Sequence, residues 1–248
     1  MLIELNTTVS TNFKELRQVQ AFYKNATELN FLENPSDRYR VDRFDAMGYF
    51  DIFPKWKNKV ISYIEDLKKM KEKFVYIDVC GRASGQRLGA DTSYLFSLRT
   101  DKLKRMARPK GDVFVDGDLF NRKDFSVLLG LVREDVAPAF ITFRPMAGLQ
   151  NYSFINKETK NFPNYEKITY GLLGKRLADV IEVLRPGGFI LLERPFQCIG
   201  LEDFFKGVPQ DKSEFTLLVK SFAKKIKCSV DVLSSIGGPY FLLRKWLR

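Results

Sequence analysis

Short apolar runs alternate with helix-like stretches over most of the chain, and this alternation constrains the fold more than any other feature. Strand-like runs, apolar and rich in β-branched and aromatic residues, occur at residues 74–80, 93–98, 112–116, 139–143, 189–193 and 240–246. Helix-like stretches with amphipathic spacing lie between them, at residues 101–107, 122–133, 165–184 and 214–226. This order predicts an α/β fold with a doubly wound, mostly parallel sheet and helices on both faces.

The first part of the chain lacks this alternation. Residues 11–30 have apolar positions near the helical period, whereas residues 33–54 mix proline, glycine, charged and aromatic residues without a clean period. Residues 56–70 form an amphipathic pattern that leads into the first strand-like run. We therefore predict an N-terminal helical extension and lid over residues 1–59, followed by one α/β domain over residues 60–248.

Several classes of protein are excluded by composition. The 248 residues include no histidine, which rules out hydrolases of the Ser-His-Asp and Cys-His types. Three cysteines form no Cys-x-x-Cys pair, so we expect neither a disulfide framework nor a metal site. No apolar run approaches the length of a membrane span, and the N-terminus does not resemble a secretory signal. A cytoplasmic location is the resulting expectation.

The charge of the chain is strongly basic. Lysine and arginine number 41 against 30 acidic residues, a formal net charge of +11. Such a charge attracts polyanions, and an RNA-binding or other nucleic-acid-binding surface is one interpretation. A lysine-rich, solvated surface without a nucleic-acid partner fits the same composition equally well.

The loop after the first central strand is the first candidate site, because doubly wound sheets bind ligands beyond the carboxyl ends of their strands. Residues 78–85 read DVCGRASG. Gly81 and Gly85 permit a close approach of the backbone to a ligand, and the small residues between them leave room for a nucleotide. The loop lacks both the Walker A ending and a complete G-x-G-x-x-G, so a phosphate-gripping role is not predicted.

Two segments resemble those of a known family. Residues 74–85, FVYIDVCGRASG, resemble motif I of class I S-adenosylmethionine (SAM)-dependent methyltransferases. Residues 181–193, IEVLRPGGFILLE, are similar to the Leu-Lys/Arg-Pro-Gly-Gly turn before the fifth strand of that family. Pro186 cannot continue a helix, and paired glycines allow a tight reversal. The resemblance spans residues 74–196 and implies a Rossmann-like fold, SAM as cofactor and methyl transfer as activity.

The resemblance also implies a set of binding residues. The glycine-rich turn would hold the amino acid portion of SAM, Asp118 would accept from the adenine amino group, and Leu119 would pack on the adenine ring. Alternatively, Asp118 is a strand-end turn residue or the N-cap of helix 122–133. The predicted cofactor-binding residues are Asp78, Cys80, Gly81, Arg82, Gly85, Asp101, Asp118, Leu119, Phe143 and Arg144.

The sequence departs from the family pattern in three places. The second strand has no carboxylate at its tip, and Asp101, which comes two or three positions late, could reach the ribose or cap helix 101–107. Only about ten residues separate Gly81 from the second strand, which leaves little space for the usual crossover helix. The fourth strand keeps only Pro145 of the family's Asn/Asp-Pro-Pro-Tyr/Phe motif. These departures leave open a catalytically silent methyltransferase-like protein that acts as an RNA-binding or complex subunit.

The methyl acceptor is not specified by any motif. We expect the lid and the loop over residues 146–164 to set substrate choice, through Tyr39, Arg40, Arg43 and Tyr152, and to accept a nucleic acid or a small molecule. Without histidine, a proton acceptor must be a carboxylate, a tyrosine, a lysine or water. The candidates by location are Glu193, Tyr39, Tyr152 and Tyr170, and no catalytic residue is assigned. No feature of the sequence predicts the oligomeric state.

Overall fold

A computed structural model describes residues 46–48, 50, 54–80, 83–97, 110–119, 121–143, 165–193, 212–235 and 238–247. Seven strands in these residues form one sheet: β1 (Val75–Val79), β2 (Thr92–Ser97), β3 (Asp112–Asp116), β4 (Phe140–Phe143), β5 (Phe189–Glu193), β6 (Cys228–Ser235) and β7 (Gly238–Lys245). The α-helices are α1 (Pro54–Lys69), α2 (Arg122–Glu134), α3 (Tyr165–Val183) and α4 (Lys212–Ile226).

The sheet has the strand order β3-β2-β1-β4-β5-β7-β6. The first five strands in this order are parallel to one another, and β7 inserts antiparallel between β5 and β6. The order β3-β2-β1-β4-β5 is that of doubly wound nucleotide-binding sheets, whose winding direction reverses between β1 and β4. The predicted Rossmann-like, mostly parallel sheet is therefore confirmed.

Both faces of the sheet are covered by helices. On one face, Val75, Ile77 and Val79 of β1 pack in a hydrophobic cluster with buried residues of α2, α3 and α4. On the other face, Tyr76 packs in a second cluster with buried residues of α1. Every residue of β1 is buried, which explains why this strand, apart from Asp78, reads as an apolar run rather than an alternating one.

Strand β6 is the part of the described sheet that the sequence pattern does not predict. Its sequence, CSVDVLSS, contains few large apolar residues because β6 is an edge strand of the sheet. Cys228, Val230 and Val232 pack on the core, while Ser229 is exposed on the opposite face. A half-solvated edge strand needs only every second residue to be apolar, and three such residues are too few to stand out.

The described helices follow the predicted ones closely, but the N-terminal predictions largely lie outside the described residues. Residues 11–30 lie outside the described residues, as does the predicted helix at 101–107 in the α/β domain. Helix α1 continues through residue 60, and the division into an extension and a domain stays a prediction. None of the helices in the described ranges has the length and apolar content that a membrane crossing requires.

The connection from β1 to β2 is unusually short for a parallel crossover. Residues 83–91, the described part of this connection, contain one short 3-10 helix, Gln86–Leu88, and Leu88 is buried against the sheet. The prediction that little space remains for a crossover helix therefore agrees with the structure. As a result, the loop after β1 returns directly over the face of β1.

Lys245 closes the C-terminal end of α3. Its Nζ donates to the backbone oxygens of Ile181 at 2.8 Å, Glu182 at 3.0 Å and Leu184 at 2.5 Å. Because a cation stabilises the unpaired carbonyls at a helix C-terminus, we expect Lys245→Met to lower the unfolding free energy by about 1–2 kcal/mol in urea denaturation. Lys220→Met, a change at an exposed position of α4, is the control, with an expected change below about 0.5 kcal/mol. Equal stabilities of the two variants would contradict the capping role.

Candidate functional site

The candidate site lies at the carboxyl ends of the parallel strands. Asp78 of β1 pairs in register with Thr142 of β4, and Val79 pairs with Phe143, at the point where the winding reverses. Ligands of doubly wound sheets bind in the crevice beyond these strand ends. We call the ends of β1, β2, β3 and β4 the carboxyl edge.

Asp78 anchors the loop that follows β1. The side chain is fully buried, and its Oδ2 accepts a hydrogen bond from the Ala83 backbone N–H at 2.6 Å. Its Oδ1 accepts from the Thr142 hydroxyl at 2.5 Å. Both carboxylate oxygens are therefore used inside the protein, one by the loop and one by β4. A direct contact of Asp78 with a cofactor stays a prediction.

A third buried side chain extends this arrangement. The Tyr76 hydroxyl lies 2.7 Å from Thr142 Oγ1, and Tyr76, Thr142 and Asp78 are all fully buried. Thr142 donates its hydroxyl hydrogen to Asp78, and because a hydroxyl has only one hydrogen to donate, Tyr76 donates to Thr142. We call these three residues the Tyr76–Thr142–Asp78 chain.

Cys80 turns the backbone at the end of β1. It has a φ of +61°, which is uncommon for a residue other than glycine, and its N–H donates to the Phe96 carbonyl at 2.8 Å. The side chain of Cys80 is partly exposed. This positive φ turns the backbone at the point where β1 ends.

Gly85 is packed against the protein's own core. A Cβ atom at this position would lie 2.7 Å from Cδ1 of Tyr76, and the Gly85 N–H donates to the Ser93 hydroxyl at 3.0 Å. The sequence analysis expected the backbone at this glycine to approach a ligand closely. In the structure, the backbone at Gly85 approaches the side chain of Tyr76. Its predicted contact with a cofactor is not tested by the structure.

The turn after β3 contains Asp118, which is half-buried. The Asp118 N–H donates to the Asp124 carboxylate at 3.0 Å. The N-cap of α2 is Asn121, whose side chain accepts from the Lys123 N–H at 2.9 Å. The alternative interpretation of Asp118 as the N-cap is therefore wrong, whereas its position in a strand-end turn is as expected. The adenine contact stays a prediction.

Leu119, in the same turn, is bonded by Arg176 of α3, a residue that the sequence analysis did not assign to the site. Arg176 of α3 is only 3% exposed, and its Nε donates to the Leu119 carbonyl at 2.9 Å. The guanidinium also lies 5.2 Å from the centre of the Phe125 ring and bonds Asp179 at 3.1 Å. The available signal was a charge on the apolar face of α3, between buried Leu173 and Leu177.

Ser97 ends β2 at the same edge. The side chain is 8% exposed, and its Oγ has no hydrogen-bond partner in the described part of the chain. Leaving a buried hydroxyl unpaired costs about 1–3 kcal/mol, so it is unusual in a site that serves packing alone. Ser97 occupies the strand tip where the family pattern has a carboxylate, which makes it a candidate binding residue that the sequence analysis did not assign.

The remaining predicted residues divide into two groups. Phe143 is fully buried in the core on the α2 and α3 side of the sheet. Several predicted residues lie outside the described part of the chain, namely Gly81, Arg82, Asp101, Arg144, Tyr39, Arg40, Arg43 and Tyr152. Of the candidate proton acceptors, Glu193 ends β5 and Tyr170 lies in α3.

A surface cavity of about 400 Å³ lies away from the carboxyl edge, between α1 and the start of β5. Two of its lining residues bond the Pro-Gly-Gly turn before β5. Tyr63 donates to the Pro186 carbonyl and Arg244 to the Gly187 carbonyl, both at 3.3 Å. Partial burial raises the pKa of Tyr63, so its hydroxyl stays protonated as a donor. These two polar side chains of the cavity are therefore used by the turn.

Several solved methyltransferases resemble this fold. The MycE methyltransferase of the mycinamycin biosynthetic pathway, in complex with Mg and SAH, is 11% identical with a TM-score of 0.45, over 83% of this chain and 52% of that chain. A Klebsiella pneumoniae protein assigned as an O-methyltransferase is 12% identical with a TM-score of 0.44, over 96% and 93%. The N-methyltransferase NodS of Bradyrhizobium japonicum WM9 is 10% identical with a TM-score of 0.35, over 78% and 98%.

The chain spans about half the length of the MycE protein. Its sequence matches no protein-family model and no curated protein.

Proposed function

We propose that this chain is a SAM-dependent methyltransferase with its cofactor site at the carboxyl edge. The observation that carries the proposal is the position of the motif I-like loop, which leaves β1 beside the point where the winding reverses. Nucleotide-bearing ligands of doubly wound sheets bind at this point. The second family-like segment, at residues 181–193, leads into β5 of the same sheet, as the resemblance requires.

The side chains at this edge fit a nucleoside. Ser97 offers a buried hydroxyl without a partner, and a ribose hydroxyl can both donate to it and accept from it. Asp118 lies in the turn after the neighbouring strand β3, where its carboxylate would accept from the adenine amino group. Cys80, which follows β1 on the other side of β2, adds a small, partly exposed side chain.

SAM would supply a methyl group bound to a positively charged sulfur, and its transfer to a nucleophile is an in-line displacement. Much of the catalysis in such a reaction comes from holding the two partners in near-attack geometry. The described residues contribute to this by fixing the loop: Asp78 holds the Ala83 N–H, and Ser93 holds the Gly85 N–H. A site without histidine suits a reaction in which orientation matters more than proton transfer.

The acceptor remains a proposal from charge and composition. The net charge of +11 would suit a nucleic acid, and the aromatic residues of the predicted lid would suit either a base or a small aromatic molecule. A tritiated-methyl assay against total RNA and against a protein-free small-molecule extract separates the two acceptors. If the affinity for RNA falls steeply as the salt concentration rises, RNA is favoured as the methyl acceptor.

Isothermal titration with S-adenosylhomocysteine (SAH) and SAM tests the cofactor site. We expect wild-type protein to bind both, and Ser97→Ala to weaken binding by about 0.5–1.5 kcal/mol, or roughly 2- to 12-fold, through loss of one hydrogen bond. The melting temperature should not fall, because the Ser97 hydroxyl has no partner in the described protein. Ser126→Ala, an exposed change on α2, is the matched control.

The titration and the tritiated-methyl assay together separate the two candidate functions. Failure of the wild-type protein to bind either compound would refute the proposed cofactor. Binding without methyl transfer to RNA or small molecules would favour the catalytically silent alternative. Unchanged binding by Ser97→Ala would move the ribose contact to another residue.

A further inference from the structure

We propose that the Tyr76–Thr142–Asp78 chain positions the cofactor loop, with Tyr76 and Thr142 as positioning residues that act through Asp78. This inference rests on the proposed function, because it concerns the same site. Neither Tyr76 nor Thr142 belongs to the family-like positions assigned to the cofactor. Their role follows from three buried side chains joined by successive hydrogen bonds that end at the Ala83 N–H.

The first step concerns the Asp78 carboxylate. One oxygen accepts from Thr142 and the other from the Ala83 N–H, so the bond from Thr142 fixes the plane in which the second oxygen meets the loop. Loss of the Thr142 hydroxyl would leave a fully buried carboxylate oxygen without this donor. The side chain would then rotate towards another donor, and the loop would lose its fixed anchor at Ala83.

The second step concerns Tyr76, which contacts the arrangement at both ends. Its hydroxyl bonds Thr142, while its ring blocks the space beside Gly85, with a Cβ there only 2.7 Å from Cδ1. The ring is itself held at 5.5 Å from the Phe140 ring. A single side chain, that of Tyr76, therefore contacts both the loop at Gly85 and the hydrogen bond to Thr142.

The third step concerns β4, on the far side of the reversal point. Thr142 lies next to the end of β4, and further along the chain lies the loop over residues 146–164, which is expected to help set substrate choice. The hydrogen bond from Thr142 to Asp78 thus joins the strands on the two sides of the crevice. Buried polar groups cost free energy unless they are paired, and apolar residues would serve packing alone.

Two measurements on the intact chain test this inference. We expect Thr142→Val to weaken SAH binding about 10-fold and to speed amide hydrogen exchange in residues 83–90, while exchange in α1 stays unchanged. Thr142→Ser keeps the hydroxyl and should restore SAH affinity and exchange protection to within about twofold. Thr92→Val, the same chemical change at the start of β2, should match the wild type in both measurements.

A second pair of variants covers the case in which Thr142→Val does not fold. Tyr76→Phe keeps the ring beside Gly85 and removes only the hydroxyl, so we expect about 3-fold weaker SAH binding. Tyr94→Phe removes a hydroxyl that bonds Asp135 on the other face and is the matched control.

The proposed function and this inference fail in different ways. If wild-type protein does not bind SAH, the proposed function is overturned. Hydrogen exchange in residues 83–90 of the variants then decides by itself whether the Tyr76–Thr142–Asp78 chain holds the loop. If the wild type binds SAH but folded Thr142→Val and Tyr76→Phe bind it equally well, the positioning role is overturned. Failure of Thr142→Ser to restore binding would also overturn it, because the hydroxyl would then not be the group that matters.

Discussion

Replacement of Gly85 by alanine is expected to lower the unfolding free energy by about 3 kcal/mol. For a chain of this length, that corresponds to a fall of roughly 6–12 °C in melting temperature. The new Cβ would lie 2.7–2.8 Å from Cδ1, Cβ and Cγ of Tyr76. These atoms belong to the near end of a fully buried side chain, so relief requires movement of the loop or of β1.

Gly130 provides a control with the opposite expected sign. It lies within α2, and a Cβ there would meet no atom within 4 Å. Gly130→Ala should therefore raise the unfolding free energy by about 0.5–1 kcal/mol, since alanine restricts the unfolded chain and favours the helix. Differential scanning calorimetry of both variants measures the two shifts. Equal melting temperatures of the two variants would contradict the close packing of Gly85 on Tyr76.

The sheet could be predicted largely from sequence because its central strands are buried on both faces. A strand buried on both faces, such as β1, is apolar at nearly every position, here at all but Asp78, and the pattern then shows both the strand and its neighbouring helices. Strand β6 could not be predicted in this way, because it lies at the edge of the sheet and alternates serine and aspartate with small apolar residues. Its pairing with β7 is decided by the tertiary structure.

The candidate site could be located from sequence, but the partners of its residues could not. The position of residues 78–85 follows from the end of β1 and the rule for doubly wound sheets. That Asp78 meets Thr142, and Gly85 meets Tyr76, depends on the register of β1 with β4 and on the short crossover. Such contacts join residues whose spacing in sequence carries no pattern.

Arg176 is the strongest example of a role that sequence spacing conceals. It bonds the carbonyl of Leu119, which lies 57 positions earlier in the chain. A single arginine on the apolar face of α3 suggests burial, but nothing in the sequence identifies the turn after β3 as its partner. The contact arises because α2 and α3 pack side by side on the same face of the sheet.

Arg176→Met is expected to lower the unfolding free energy by about 2–3 kcal/mol, because it leaves the Leu119 carbonyl and the Asp179 carboxylate without their donor. The expected loss of unfolding free energy is smaller than for a fully buried ion pair, because the Asp179 side chain is 27% exposed. Arg133→Met is the matched control. Its ion pair with Glu182 has an N–O distance of 3.8 Å between side chains that are 59% and 73% exposed, and its loss should cost less than about 0.5 kcal/mol.

Arg176→Lys separates the geometry of the guanidinium from its charge. Lysine keeps the positive charge but has no planar fork with which to bond Leu119 and Asp179 together while lying over the Phe125 ring. We therefore expect Arg176→Lys to recover less than half of the stability that Arg176→Met loses, as measured by urea denaturation. SAH affinity should fall in both variants, because Leu119 and Asp118 belong to the same turn. Full recovery by lysine would mean that charge alone stabilises this site, and unchanged SAH affinity in both folded variants would separate the turn from cofactor binding.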